Sequence, residues 1–227
     1  MKTTGGSEAA KRAAGERAAE LVEDGAVVGL GTGSTAAHAI RALGERVGQG
    51  LDLRGIPTSY GSADLAREAG IELVTLDDAL PDVTIDGADQ IAGFDLIKGG
   101  GAAHTREKLV DSAAKRFVVV ADPSKEVESL DHPVPLEVLP SAREPVSRAV
   151  AGLGGEAELR GAERKDGPVV TDNGNLVLDC DFGRIESPAE LGDELSAIPG
   201  VLEHGLFVGL ADDVLVGTDG GVEERRR

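Results

Sequence analysis

The chain has 227 residues, with 41 acidic against 23 basic side chains and a formal charge of −18 at pH 7. That sign repels phosphate backbones and anionic lipid surfaces, so neither nucleic acid nor membrane is expected as a partner. No run is apolar for the length a bilayer span needs, and a single cysteine, Cys180, leaves no pair for a disulfide within the chain.

A chain of this size buries roughly 70% of its extended surface and can build a core without staples. The stretch MKTTGGSEAAKRAAGERAAELVEDG lacks the apolar run of a signal peptide. A reducing, cytoplasmic setting is expected. Strong acidity, more arginine than lysine and few aromatic residues are similar to salt-adapted cytoplasmic proteins, in which screening makes such a charge tolerable.

In chain order, residues 7–24 place Ala10, Ala13, Ala14, Leu21 and Val22 at helical spacing, with Ser7 as N-cap and Gly25 as stop. AVVGL (26–30) reads as a buried strand and STAAHAIRALGERVG (34–48) as a helix with Ile40, Leu43 and Val47 on one face. LDLRGIPT is a strand, SADLAREAG a short helix, IELVTL and DVTID strands, TREKLVDSAAK (105–115) a helix and RFVVVAD a strand. Alternating β and α units predict an α/β fold whose mainly parallel, Rossmann-like sheet carries helices on both faces.

The pattern changes near residue 130. HPVPLEVLP, with three prolines, begins as a linker; EPVSRAVAGLGG is a helix; PVVTDNGNLVLDCDF is a hairpin around Asp172–Asn175. SPAELGDELSAI is a helix with Ser187 as N-cap and Pro188 at its first position, and VLEHGLFVGL is a strand. This order is of β-α-β-β-α-β type and predicts a smaller α+β, ferredoxin-like domain over 131–207. Residues 1–130 and 208–227 form the first domain, DDVLVGT (212–218) returning to its sheet and EERRR ending as a frayed tail.

GLGTGSTA (29–36) lies between a strand and a helix, where a helix N-terminus offers free N–H groups and partial positive charge. Gly31 and Gly33 let a ligand approach the backbone, and Thr32, Ser34 and Thr35 add hydroxyls. Gly31-x-Gly33-x-x-Ala36 also fits the loose dinucleotide fingerprint. That fingerprint wants an acid at the end of the second strand, and Asp52 lies near its start. A compact phosphate suits the turn better than NAD; a tight turn without ligand is the plain alternative.

IDGADQIAGFDLIKGGGAAHTREKL (85–109) gathers acids, one lysine and bare backbone. Asp86 leaves its strand at the carboxyl edge of the sheet, with Asp89 one short turn later. Lys98 is the cation that serves such carboxylates, Gly99–Gly101 expose backbone, and Glu107 projects from the next helix. Together these groups suit proton transfer beside a carbonyl, with a carboxylate as base and a cation to hold an enediolate oxygen. Taken singly, the aspartates are turn formers and Lys98 with Glu107 a surface ion pair.

GLGTGSTAAHAI, IDGADQI, LIKGGGAAHTREKL, VVVADPSK and VVTDNGNLVLD resemble, in order, ribose-5-phosphate isomerases of the A type, and the resemblance spans nearly the whole chain. It implies interconversion of ribose 5-phosphate and ribulose 5-phosphate, no metal or organic cofactor, and a homodimer or homotetramer. It makes Glu107 the base between C1 and C2, Asp86 the assistant in ring opening and hydroxyl proton transfer, and Asp89 and Lys98 the groups that position and stabilise the enediolate. It lines the substrate site with Thr32, Gly33, Ser34, Thr35, Asp86, Gly87, Ala88, Asp89, Lys98, Gly99, Gly100 and Gly101. Lys125 matches a substrate-binding lysine and Lys11 a lysine near the phosphate. Gln90 stands where the family has glutamate, and His104 where it has leucine.

Two other classes remain open to the sequence: a sugar-phosphate-sensing effector domain and an NAD-dependent oxidoreductase. The histidines show no metal-ligand spacing. His38 is expected on an exposed helix face, His104 in a solvated loop near the site, and Cys180 as a small core residue.

Overall fold

The structure, a computed structural model, describes residues 6–218 and 220–227. Ser7 caps α1 (Glu8–Glu20), its hydroxyl accepting from the Ala10 N–H at 3.5 Å; the helix ends at Leu21, short of Gly25. β1 (Ala26–Leu30) is buried throughout, and α2 (Ser34–Gly48) has the bounds its apolar spacing predicts. β2 (Leu53–Pro57) leads into α3 (Tyr60–Glu68), which starts earlier than expected because Ser59 and Ser62 form a reciprocal capping box. β3 (Glu72–Leu73) is short; β4 (Val83–Asp86), β5 (Gln90–Ala92), β6 (Asp95–Ile97), α4 (His104–Ala113) and β7 (Phe117–Ala121) follow. The rest of the chain gives β8 (Val134–Val138), α5 (Arg143–Gly152), β9 (Glu156–Leu159), β10 (Leu176–Asp181) and α6 (Pro188–Ser196). It closes with β11 (Val201–His204), β12 (Leu206–Phe207), β13 (Asp213–Thr218) and β14 (Gly221–Arg226). Among the described residues no helix is long and apolar enough to cross a membrane.

By contact the chain forms two compact units, and the division falls inside α4, after Thr105. One unit holds the described residues up to Ala88, Arg106–Glu126 and Gly209–Arg227; the other holds Asp89–Thr105 and Val127–Val208. Residues 89–105, which the sequence pattern reads as part of the first domain, thus have their contacts in the second unit.

The first unit is built on a seven-stranded sheet of order β14-β13-β7-β4-β1-β2-β3, parallel except for β14. Strand alternation sorts its faces. Val28 and Leu30 of β1 pack with alanines of α1, α2 and α3, while Val27 packs with Ile56 and with Val110 of α4. Burying a Leu, Ile or Val contributes about 1.5–3 kcal/mol, whereas an exposed ion pair contributes about 1 kcal/mol or less. The core therefore carries the stability, and ion pairs place the edge. β14 shows this: it reads as a frayed tail because its side chains are charged and exposed, yet it pairs along its length with β13. Arg226 and Arg116 both bind the buried Asp213, at 3.0 and 2.6 Å, and Arg225 meets Glu126 at 2.7 Å. Burial pushes the Asp213 carboxyl up, but the two guanidinium groups outweigh it and hold the group below the usual carboxylate range.

The second unit has the expected β-α-β-β-α-β order, giving a four-stranded antiparallel sheet, β11-β8-β10-β9, with the α5 and α6 side chains in its core. β8, read as the start of a linker because of its prolines, is an inner strand buried at every position. The hairpin around Asp172–Asn175 is only half formed: β10 pairs with β8 and β9, and its expected partner makes single bridges at Val170 and Pro168. Ser187 sits at the N-cap of α6, but its side chain makes no capping bond. VLEHGLFVGL breaks at Gly205, so that β11 joins the larger sheet while β12 pairs with β6 in a separate three-stranded sheet with β5. Cys180 is a core residue, and burial pushes its thiol up to about 12.

The broken hairpin has a cause in Glu137, which lies buried in the middle of β8. Its carboxylate accepts from the Thr171 hydroxyl at 2.8 Å, from the amides of Asn173 and Asn175 at 3.1 and 2.8 Å, and from the Thr105 hydroxyl. The loop folds its polar side chains over this acid. Burial alone would raise the Glu137 pKa, but the donors from Thr105, Asn175, Thr171 and Asn173 outweigh it and lower it. A lowered folded pKa stabilises the fold above the unfolded value of about 4.3 and loses that contribution as pH falls through the lower folded value. The urea midpoint of wild type should therefore exceed that of Glu137→Gln at neutral pH, and the gap should close on acidification below the usual glutamate range. A gap that stays constant with pH would show that ionisation of Glu137 is not what stabilises the loop.

Candidate active site

In the seven-stranded sheet, β1 lies between β2 and β4, and the chain's connections run outward in opposite directions from that pair. Sheets of this type bind ligands beyond the carboxyl ends of the strands at such a switch point. The residues there are the Gly31–Thr35 turn after β1 and Asp86 at the end of β4.

Asp86 is fully buried, and one of its oxygens accepts from the Thr32 N–H at 3.0 Å and the Gly87 N–H at 2.6 Å. The carboxylate lies against Gly31, where an added Cβ would sit 2.2 Å from Asp86 Oδ1. The close approach that Gly31 permits is therefore occupied by Asp86. Gly33 differs: its φ is +123°, and the space an added Cβ would enter is open. As N-cap of α2 it offers no side-chain acceptor, and the first turn of α2 contains no acid. The N–H groups at that helix start are thus presented without a competing carboxylate, as an anion requires. Ser34 is exposed and Thr35 buried. The Thr32 hydroxyl is committed to the protein, lying 2.8 Å from the Thr58 hydroxyl and 2.7 Å from that of Ser59.

Glu107 lies in the first turn of α4 and is buried, with 4% exposure. Gly87 and Ala88 are half-buried. Lys125 is buried at the end of a short 3-10 turn whose start Asp122 caps by accepting from the Ser124 N–H at 3.0 Å. Lys11, in α1, pairs with Glu8 at 3.0 Å. His38 meets the same glutamate at 3.4 Å and is half-buried rather than on an open face. All of these belong to the first unit.

Asp89, Lys98 and Gly99–Gly101 belong to the second. Asp89 accepts from the Gly100 N–H at 2.6 Å, while its own N–H bonds the Ile97 carbonyl at 2.8 Å. Lys98 ends the β5–β6 hairpin with its ammonium buried, 5.3 Å from the centroid of the Phe207 ring. A cation over an aromatic face is stabilised by the ring quadrupole, and this offsets part of the cost of burying the charge. Gly99 packs on His104, which is fully buried and not in a solvated loop. Gln90, in the family's glutamate position, grips the following segment: its amide donates to Asp131 at 2.5 Å and its oxygen accepts from the Asp131 and His132 N–H groups at 2.9 and 3.0 Å. Thr58, Ser59 and Phe207, which support candidate residues, were not singled out from sequence. Each reaches its partner from a distant part of the chain.

Among the described residues no group of three or more His, Cys, Asp or Glu is arranged to hold a metal ion. β2 ends at Pro57, followed by the buried hydroxyls of Thr58 and Ser59, so the carboxyl end of that strand has no acid for a dinucleotide ribose.

The sequence profile of the family Ribose 5-phosphate isomerase A (phosphoriboisomerase A) matches residues 54–221. A Natronomonas pharaonis protein named ribose-5-phosphate isomerase A is 70% identical over 99% of this chain and 100% of its own length. One of the same name from Haloarcula marismortui is 65% identical over 97% of each. Among solved structures, ribose 5-phosphate isomerase A of Methanocaldococcus jannaschii superposes with a TM-score of 0.92 at 48% identity, over 96% of this chain and 98% of that one. A D-ribose-5-phosphate isomerase in complex with phospho-erythronic acid superposes with a TM-score of 0.93 at 44% identity, over 96% and 97%. The chain belongs to the ribose 5-phosphate isomerase A family.

Proposed function

We infer that this protein interconverts D-ribose 5-phosphate and D-ribulose 5-phosphate by proton transfer between C1 and C2 through an enediolate. The observation that carries the inference is an acid buried at the switch point beside an uncapped helix start, in a chain related to these isomerases along its whole length. A phosphate binds helix N–H groups, and a sugar carbonyl needs nearby proton donors and acceptors. The NAD-dependent reading is disfavoured by the uncharged end of β2, and the sensor reading by relatives that are named as enzymes over their full length.

The roles we propose follow from chemistry. Glu107 removes the proton from one carbon and returns it to the next. Asp86, held by two backbone donors, exchanges hydroxyl protons and assists ring opening. Asp89 and Lys98 hold the enediolate oxygens, the lysine supplying positive charge opposite the negative charge that develops there. Thr32–Thr35, Gly87, Ala88, Gly99–Gly101, Lys125 and Lys11 contact the sugar phosphate. The reaction so drawn uses no metal or organic cofactor. We place the enzyme in the cytoplasm as a homodimer or homotetramer.

Ribose 5-phosphate incubated with the protein in D2O, without nicotinamide, should yield ketose carrying deuterium at the transferred position. Glu107→Gln should lower kcat by roughly 10²-fold or more, the scale of a general base, and undiminished turnover would remove Glu107 from that role. Lys98→Ala should cost about 3–4 kcal/mol of transition-state stabilisation, as loss of one oxyanion donor does.

The relatives in salt-loving organisms match the acidity. At tenth-molar salt the screening length is about 10 Å, and at molar salt about 3 Å, so the self-repulsion of a −18 chain falls as salt rises. The melting temperature should rise from tenth-molar to molar KCl, and a flat or falling trend would reject salt adaptation.

A further inference from the structure

Directly after Lys98 the backbone makes a turn that few residues tolerate. Gly99 has φ of +108°, and Ala102 is the one non-glycine residue with positive φ among the described residues, at 59°. Conformations of this kind persist where the surroundings over-determine them. One peptide unit, between Gly99 and Gly100, is gripped at both polar ends. Its N–H donates to Asp89 at 2.6 Å, and its carbonyl accepts from Arg160 Nη1 at 2.8 Å; the next carbonyl, of Gly100, lies 3.4 Å from the same nitrogen.

Arg160 is itself fixed. It follows β9, its N–H bonds the Val177 carbonyl at 2.9 Å, and its carbonyl accepts from the Val169 N–H at 2.9 Å. Its remaining donors form a fork on Asp179, Nε at 2.8 Å to one oxygen and Nη2 to the other. Asp179 sits in β10, hydrogen-bonded on both sides, and the two side chains are only 10% and 19% exposed. Burial raises the Asp179 pKa, but the hydrogen bond and charge of Arg160 outweigh it, so the acid is held below its ordinary range. A pair this shielded is worth more than a surface ion pair, and it is aimed at backbone.

We propose that Arg160, held by Asp179, is a positioning residue of the isomerase: it fixes the Gly99–Gly100 peptide from the side opposite Asp89 and so sets the placement of Lys98 and Asp89. The proposal rests on the roles given above to those two residues. A planar guanidinium is required, because it alone offers a two-pronged grip on Asp179 and a further donor for the carbonyls; a lysine ammonium at that site has the charge without the fork.

The test is Arg160→Lys, assayed with ribose 5-phosphate in both directions alongside its melting temperature. With the protein folded as wild type, kcat should fall on the order of 10-fold or more while KM changes by less than about threefold, the pattern of lost alignment and not lost binding. Wild-type kcat in a folded Arg160→Lys protein overturns the proposal. So does a loss of activity no larger than the loss of folded protein, because a merely structural pair would lower stability without moving kcat. Should Arg160→Lys fail to fold, Asp179→Asn, which keeps the guanidinium and weakens its fork, must show the same split in smaller degree; unchanged kcat there also overturns it. Glu107→Gln and Lys98→Ala run in parallel separate the two readings. If these are crippled and Arg160→Lys is normal, only the positioning role falls. If wild type does not isomerise the sugar, or Lys98→Ala is unimpaired, the functional reading itself falls.

Discussion

A single carboxylate oxygen holds the centre of the seven-stranded sheet open. The β1–β4 ladder ends as the Gly31 N–H bonds the Ile85 carbonyl at 3.0 Å. The next donor, the Thr32 N–H, goes to the Asp86 side chain at 3.0 Å instead of to a backbone carbonyl, and the Gly87 N–H joins it at 2.6 Å. A side chain in place of a ladder rung lets two parallel strands end together while their chains turn apart. It also explains why position 31 must be glycine, since a Cβ there would fall on the carboxylate. The α2 start follows within two residues, so that helix N-terminus inherits its place from this contact.

The charge of the chain makes local donors necessary. At −18 the overall field opposes a sugar phosphate. Attraction has to come from groups that solvent does not screen, and of the three lysines that the sequence singles out Lys98 and Lys125 are buried, while Lys11 is half-buried. The Phe207 face lies beside the Lys98 ammonium and interacts favourably with its charge. The acidic residues, by contrast, are spent largely on the surface and on edge pairing. β14 is held by Glu224 with Arg17 and by Glu126 with Arg225, a use of charge in a strand whose one core contact is the half-buried Val222.

What the sequence made legible was what local rules decide. α2 was read to its ends because its apolar face has the helical period and Gly33 marks its start. The order of the second unit was read from its helices and from β10. What failed was decided by distant partners. β5 and β6 are three residues each, too short to display a period; they pair with each other, and β6 pairs on its other side with the distant β12. β8 was hidden by its prolines and β14 by its charges. The loop after Thr171 carries a good turn signal, but its side chains turn to Glu137, a contact no local pattern encodes. The candidate site divides the same way. Asp86, Asp89, Lys98 and Glu107 stand out as chemistry-bearing types in one stretch, and the family resemblance named their roles. Arg160 lies some sixty residues from the turn it grips and looks, in sequence, like one of several charges around a hairpin.

The same division bears on how the chemistry is organised. Asp86 and Asp89 are three residues apart, yet their positions come from different hydrogen-bond frameworks. Asp86 ends a strand of the parallel sheet and is bonded by the turn after β1. Asp89 opens the β5–β6 hairpin, its N–H on the Ile97 carbonyl and its carboxylate on the Gly100 N–H, within a sheet completed by β12. Each framework supplies its own donors, the Thr32 and Gly87 N–H groups for Asp86 and the Gly100 N–H for Asp89.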